Sequence, residues 1–352
     1  MKVFLYRFIH EDQKNFFAKA LKGFLWILSF VYVGLSKIAF WLHQHHILKK
    51  NILPKPVISI GNLTLGGTGK TPLAGFIVSY LKHKGHEPAI LIRGYMAQRG
   101  VSDEVELYKE MLPHIPVEQG RNRFEAGIRV LKNYPSVDTF VLDDGFQHWA
   151  LDRDLDVVSV DATNPFGNGF CLPRGTLREP LSALKRADVI VLTKVDLAKE
   201  NLLQVYTVLR RNNFHAIFVE AVYEPVKLIN LKEVGQDQEV SSLKGVEVAL
   251  FSAIGNSQAF EKTVLALGAY PKKTFSFLDH HAYTKKDLQH MMKEVRAQNI
   301  TTFITTQKDA VKLRGLTDLF PNDVKIFALA ISMKIVKGEK ELEERIDSIL
   351  RR

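Results

Sequence analysis

The residues Gly66-Gly67-Thr68-Gly69-Lys70-Thr71 are the types, in the order, that hold a triphosphate. Glycines let backbone N–H groups close around phosphate oxygens, and a helix starting at the loop adds its partial positive charge. Lys70 then reaches the β- and γ-phosphates, while Thr71 offers its hydroxyl to Mg²⁺. Thr64 and Leu65 open the loop, and the usual G-x-x-x-x-G-K-[ST] pattern puts a glycine where Thr64 stands. A chance Gly-Lys-Thr in a surface loop is the bland alternative. The flanks weigh against it: an apolar run at 57–60 predicts a buried strand, and the apolar spacing over 73–81 predicts a helix packed on a sheet.

Carboxylates and further cations follow at intervals. Asp143-Asp144-Gly145-Phe146-Gln147-His148 comes after the apolar run 139–142, and a strand ending in acid can bring a carboxylate to Mg²⁺. A simple turn would use the same residues, and either aspartate fits the metal role. Ser102-Asp103-Glu104 reads as a helix start, where acids complement the dipole. Arg121-Asn122-Arg123 and Arg174-Gly175-Thr176-Leu177-Arg178-Glu179-Pro180 add cations suited to anionic groups. Thr193-Lys194-Val195-Asp196 resembles the guanine-reading Asn-Lys-x-Asp, but Thr193 replaces the residue that reads the base. Asp279-His280-His281 offers too few ligands for a metal centre and reads as a polar loop.

These residues need a scaffold that gathers them. Strands are predicted at 57–60, 88–92, 139–142, 156–160, 189–193 and 216–219, with helices near 122–133 and 199–212. Apolar strands alternating with helices imply an α/β fold with a mostly parallel sheet covered on both faces. Ligands of such sheets sit beyond the carboxyl ends of the strands, where the loop and Asp143-Asp144 both fall. Periodicity fades across 222–245, which reads as a linker or domain boundary. A second, smaller α/β unit follows: strands at 246–251, 273–278, 301–305 and 325–330, and helices at 257–267, 285–298 and 340–352. Thr284 with Asp287 forms a capping-box pair before the second of those helices. The expected division is an N-terminal helix and basic arm at 1–45, a P-loop domain at 46–224, a smaller domain at 225–336 and a terminal helix at 337–352.

The formal charge of +10 is uneven: eight basic and two acidic side chains lie in the first 50 residues. That imbalance excludes a nucleic-acid-binding globule and favours a basic arm against an anionic membrane. Residues 23–42 are almost wholly apolar, with Lys37 the single charge, and twenty residues could cover about 30 Å of hydrocarbon. A spanning anchor and a helix lying in the interface are both open, and a buried core helix is the soluble alternative. The one cysteine, Cys171, excludes an internal disulfide framework and reads as a packing residue in a reducing compartment.

Taken together, Gly61-Asn62-Leu63-Thr64 through Pro72, Arg93-Gly94-Tyr95, Asp103-Glu104, Asp143 through His148, Leu172-Pro173-Arg174-Gly175, Arg178-Glu179-Pro180, Asp279-His280-His281 and Thr306 through Leu313 form an ordered series. That series resembles the tetraacyldisaccharide 4′-kinase family of Gram-negative bacteria over nearly the whole chain, and Thr64 is similar to what that family carries. The resemblance implies transfer of the ATP γ-phosphoryl to the 4′-hydroxyl of an acylated disaccharide 1-phosphate lipid, giving lipid IVA. It implies ATP and Mg²⁺ as cofactors and a place on the cytoplasmic face of the inner membrane, against its anionic leaflet. No obligatory protein partner and no nucleic acid are implied. Thr64, Leu65, Gly66, Gly67, Thr68, Gly69, Lys70 and Thr71 would bind nucleotide, and Thr71, Asp143 and Asp144 the metal. Asp103 would be the catalytic base, paired with His280 or His281. Glu104, Arg123, Arg178 and Glu179 would flank the cleft. The alternative readings are a membrane-associated P-loop GTPase, as switch or metal-insertion factor, and a non-catalytic nucleotide-binding adaptor.

Overall fold

The computed structural model describes residues 16–94, 102–233, 235–279 and 281–351. The expectations placed on His280, on Tyr95 and on the basic residues before 16 lie outside them. The chain forms two compact units: one of Met1–Arg93, His114–Val222 and Ile335–Arg352, the other of Gly94–Pro113 and Tyr223–Lys334.

In the first unit, β1 (Val57–Gly61) lies between β4 (Thr139–Asp143) and β5 (Leu155–Asp161), parallel to both. Outward from β4 come β2 (Pro88–Ile92) and β3 (Val117–Gln119), also parallel. Outward from β5 come β6 (Val189–Thr193) and the first residues of β7 (Ile217–Asn230). The strands β1, β2, β4, β5 and β6 are buried at every residue, which is why they read as continuous apolar runs. Helix α1 (Phe16–Gln44) runs along this unit, and α2 (Lys70–His83) follows the loop after β1. The register Ile60↔Asp143 puts the ends of β1 and β4 side by side, so the loop and the acidic pair meet at one edge.

The second unit carries α3 (Asp103–Met111), whose first-turn acids Asp103, Glu104 and Glu106 complement its dipole. Ser102 caps it, accepting from the Val105 N–H at 3.4 Å. In the first unit, α4 (Arg123–Asn133) is capped in the same way by Asn122, and α5 (Leu202–Asn212) precedes β7. The second unit's strands β8 (Glu247–Ser252), β9 (Tyr270–Ser276), β10 (Thr302–Thr306) and β11 (Lys325–Lys337) are parallel, in the order β11-β10-β8-β9. Its helices are α6 (Ser257–Ala266), α7 (Lys285–Arg296) and α8 (Gln307–Lys312), and α3 packs against α8. The Thr284–Asp287 capping box is formed at the start of α7. A terminal helix, α9 (Glu339–Leu350), groups with the first unit, where Tyr80 donates to Asp347 at 2.7 Å.

One stretch departs from the linker reading. β7 continues as strand from Tyr223 to Asn230, yet in that part only Leu228 is buried. A half-exposed strand interrupted by Pro225 has little apolar periodicity to read.

Candidate functional site

The loop between β1 and α2 is shaped by two requirements on its glycines. A Cβ on Gly61 would sit 2.4 Å from the Phe146 Cβ, so the strand must end in glycine for the 143–148 turn to close on it. Gly69 at φ 92 is in the left-handed region where α2 begins. Thr64 needs no such freedom, since it is absent from the described residues of positive φ. Instead it pairs in an antiparallel bridge with Leu177, and Leu65 N–H donates to the Thr176 carbonyl at 2.8 Å. The segment 176–178 therefore splints the opening of the loop, so a glycine is not required at 64. Leu65 and Gly67 are exposed, Gly66, Lys70 and Thr71 half-buried, and Thr64, Thr68 and Gly69 buried.

At the end of β4 the chain turns sharply: Asp144 has φ 53, unusual for a residue with a side chain. This turn brings its carboxylate to 3.5 Å from Lys70 Nζ. Arg178 Nη1 donates to both oxygens of the same group at 2.8 Å. Burial would raise the Asp144 pKa, but Lys70 and Arg178 outweigh it and hold the carboxyl at about 2. Asp143 is buried, and one of its oxygens accepts the Asp144 N–H at 2.8 Å. Glu179 is buried too, paired with both terminal nitrogens of Arg186 at 2.9 Å and accepting from Gln147 at 3.1 Å. Arg186 in turn lies 4.3 Å from the Phe146 ring centroid. Glu179 thus braces the turn that presents Asp144.

Arg123 is buried at the start of α4, one of several cations around His148. Burial first, and then the charges of Arg123, Arg153, Arg93 and His43, push the His148 imidazole down to about 4. It is therefore a neutral ring at pH 7. The remaining expected residues belong to the second unit. Asp103 and Glu104 start α3, half-buried. His281 Nε2 lies 3.0 Å from the Asp287 carboxylate, and its ring stacks on Phe277 at 4.7 Å. Lys308 donates to Asp279 at 2.9 Å.

Sequence reading did not assign the residues beneath the loop. Thr193 Oγ1 donates to the Thr68 carbonyl at 3.0 Å, and Ser159 Oγ donates to the same oxygen. Lys194 Nζ donates to the Gly67 carbonyl at 3.1 Å and is paired with Asp161. The signal was present as Thr193-Lys194-Val195-Asp196, but its contact is to the phosphate loop.

A parallel sheet whose first strand feeds a glycine loop, Gly-Lys-Thr and a helix, with an acid-ended neighbouring strand, defines a P-loop nucleotide-binding enzyme. A family model described as "Tetraacyldisaccharide-1-P 4'-kinase" matches residues 21–351. The chain therefore belongs to the tetraacyldisaccharide-1-phosphate 4′-kinase family. It is 31% identical over 376 residues to "Tetraacyldisaccharide 4'-kinase" of Halothermothrix orenii, covering 99% of this chain and 97% of that one. Identity to the protein of that name from Anaeromyxobacter sp. (strain K) is 36% over 314 residues, covering 84% and 82%. Among solved structures, LpxK from Aquifex aeolicus in complex with ATP matches with a TM-score of 0.72 at 28% identity, covering 94% of this chain and 99% of that one.

Proposed function

We propose that this chain phosphorylates the 4′-hydroxyl of a tetraacylated disaccharide 1-phosphate, using ATP as donor. The observation that carries this reading is the loop 64–71 with Lys70 and Arg178 converging on Asp144, in a chain of this kinase family. Phosphoryl transfer asks chiefly for positioning and for neutralisation of charge. Loop N–H groups and Lys70 would cradle the β- and γ-phosphates. Arg178, aligned by Asp144, would meet charge that develops on the transferred group.

A Mg²⁺ ion delivered with nucleotide needs one or two hard oxygen ligands from protein, and Thr71 with a strand-end carboxylate fits that donor set. Among the described residues no cluster of three metal-ligating side chains occurs, in keeping with an ion held largely by phosphate and water. Asp143 and Asp144 at the end of β4 both remain candidates for that carboxylate. When bound, the ion would neutralise phosphate oxygens.

For the acceptor, a sugar hydroxyl is a poor nucleophile, and Asp103 at the start of α3 is the carboxylate proposed to take its proton. The histidine proposed to orient it is His280 or His281 of the Asp279-His280-His281 run. Glu104 and Arg123, in the second and first units respectively, are proposed as charged residues that serve the acceptor.

The membrane reading rests on α1. Within residues 19–44 an 18-residue stretch has a mean hydropathy of 1.7 and is largely exposed. One face of the helix is held by the first unit: Ser29 Oγ donates to the Cys171 carbonyl at 2.7 Å, Tyr32 to the Arg178 carbonyl at 2.8 Å, and Phe40 meets the Trp149 ring edge-on. The opposite face exposes Phe24, Ile27, Phe30, Val31, Leu35 and Ile38. A helix gripped along one side over about 17 Å cannot be surrounded by lipid, so we infer that it lies in the interface. That would keep the site on the cytoplasmic face, beside an acylated substrate.

The test is direct. Purified protein, ATP, Mg²⁺ and the disaccharide 1-phosphate lipid should yield a bisphosphorylated glycolipid. Phosphorylation absent with ATP, alongside tight GTP binding, would overturn the reading.

A further inference from the structure

Lys194 and Asp161 form a buried ion pair under the phosphate loop, with side chains 5% and 7% exposed. Both Asp161 oxygens are engaged: Oδ2 by Lys194, and Oδ1 by the Thr163 N–H at 3.0 Å and its hydroxyl at 2.6 Å. The Lys194 ammonium also donates to the Gly67 carbonyl, at 3.1 Å. The next carbonyl, Thr68, is held by Thr193 at 3.0 Å and by Ser159. Lys194 itself has φ 58, a backbone cost borne where β6 ends and its side chain must double back.

A planar trans peptide points its N–H opposite its C=O. Holding the Thr68 carbonyl down against the sheet therefore turns the Gly69 N–H away from it, toward the start of α2. Holding the Gly67 carbonyl down removes a partial negative charge from the face that meets phosphate. A carbonyl dipole turned toward a triphosphate would repel it in a partly desolvated site. A bare lysine could not do this cheaply, because a lone buried ammonium carries a large desolvation cost; Asp161 offsets it.

We propose that Lys194, oriented by Asp161, is a positioning residue that sets the phosphate loop for ATP. It touches no phosphate and acts through the Gly67 carbonyl. This rests on the reading of 64–71 as the nucleotide loop.

The experiment compares ATP with AMP, which lacks the β- and γ-phosphates, as ligands of the full chain by calorimetry. Lys194→Met alone strands a buried carboxylate and can simply unfold, so the main variant is Lys194→Met with Asp161→Asn, first checked for a wild-type melting profile. The expected result is ATP affinity reduced at least tenfold with AMP affinity unchanged, and partial recovery of ATP affinity in Lys194→Arg. A folded double variant that keeps full ATP affinity would overturn the proposal, as would equal losses for ATP and AMP. Lys70→Ala, run alongside, separates the two readings: if it too keeps ATP affinity, the loop assignment fails rather than the strut.

Discussion

Arg178 and Asp144 meet through a single guanidinium nitrogen placed 2.8 Å from both carboxylate oxygens, with Lys70 at 3.5 Å on the same group. The two cations reach that carboxylate from stretches more than a hundred residues apart, one from the start of α2 and one from the 170–180 segment. Their joint charge is what keeps Asp144 ionised in spite of its burial.

Removing one of these cations should show in the pH profile. The folded Asp144 pKa of about 2 lies below its ordinary 3.8, so its contribution is complete above 3.8 and is lost as pH falls through 2. With Arg178→Ala, burial is opposed by Lys70 alone, and this acid loss of stability should set in at higher pH in urea titrations. The turnover itself should fall by on the order of 10²-fold, as for loss of one charge-stabilising donor. An unchanged acid transition would show that Arg178 does not hold Asp144 ionised.

Asp103→Ala should lower kcat by on the order of 10²–10⁴ and leave the Kd for ATP largely intact. The residue opens a helix and is half-buried, so stability should change little. Turnover near wild type would return Asp103 to the role of a first-turn acid complementing the helix dipole.

His148 predicts a particular acid sensitivity. Its folded pKa of about 4 lies below the ordinary 6.5, so the unfolded chain binds the proton more readily and stability falls as pH drops from 6.5 to 4. Between pH 7 and pH 5 this one group should cost about 2 kcal/mol. His148→Gln should flatten that part of the stability profile in urea titrations. If the two profiles run parallel, the imidazole is not held neutral by its neighbours.

Along α1 the two faces should respond oppositely. Phe30→Ser or Leu35→Ser removes an exposed apolar side chain and should weaken binding to vesicles about tenfold each, with no loss of thermal stability. Ser29→Phe overfills a buried site and should destabilise the fold by about 1–3 kcal/mol. An N-terminal tag labelled from the far side of sealed vesicles would show that the helix spans after all.

Much of this protein is set by local sequence. Strands buried on both faces read as apolar runs, so β1, β2, β4, β5 and β6 are legible within a residue or so. The loop, its lysine and the acid end of β4 follow from spacing, because a phosphate cradle is built from a contiguous turn. The short elements β3 and α8 were not legible, having too few apolar residues to mark a period, and of α3 only its start at Ser102-Asp103-Glu104 could be read.

Only the tertiary structure decided the rest, because the contacts join residues far apart in the chain. It gave α3, with Asp103, to the second unit, through packing on α8 and the fork of Arg314 onto Glu106, 2.6 Å away, and Glu110. It made Glu179 a brace for the turn through Arg186, and made Lys194 of the Thr193-Lys194-Val195-Asp196 run a support of the loop. It let Thr64 stand in for glycine because Leu177, more than a hundred residues onward, supplies the splint. Residue types and spacing determined which chemistry this chain can hold. Long-range hydrogen bonds and charge, acting in a buried setting where they are strong, decided which side chains are held ready for it.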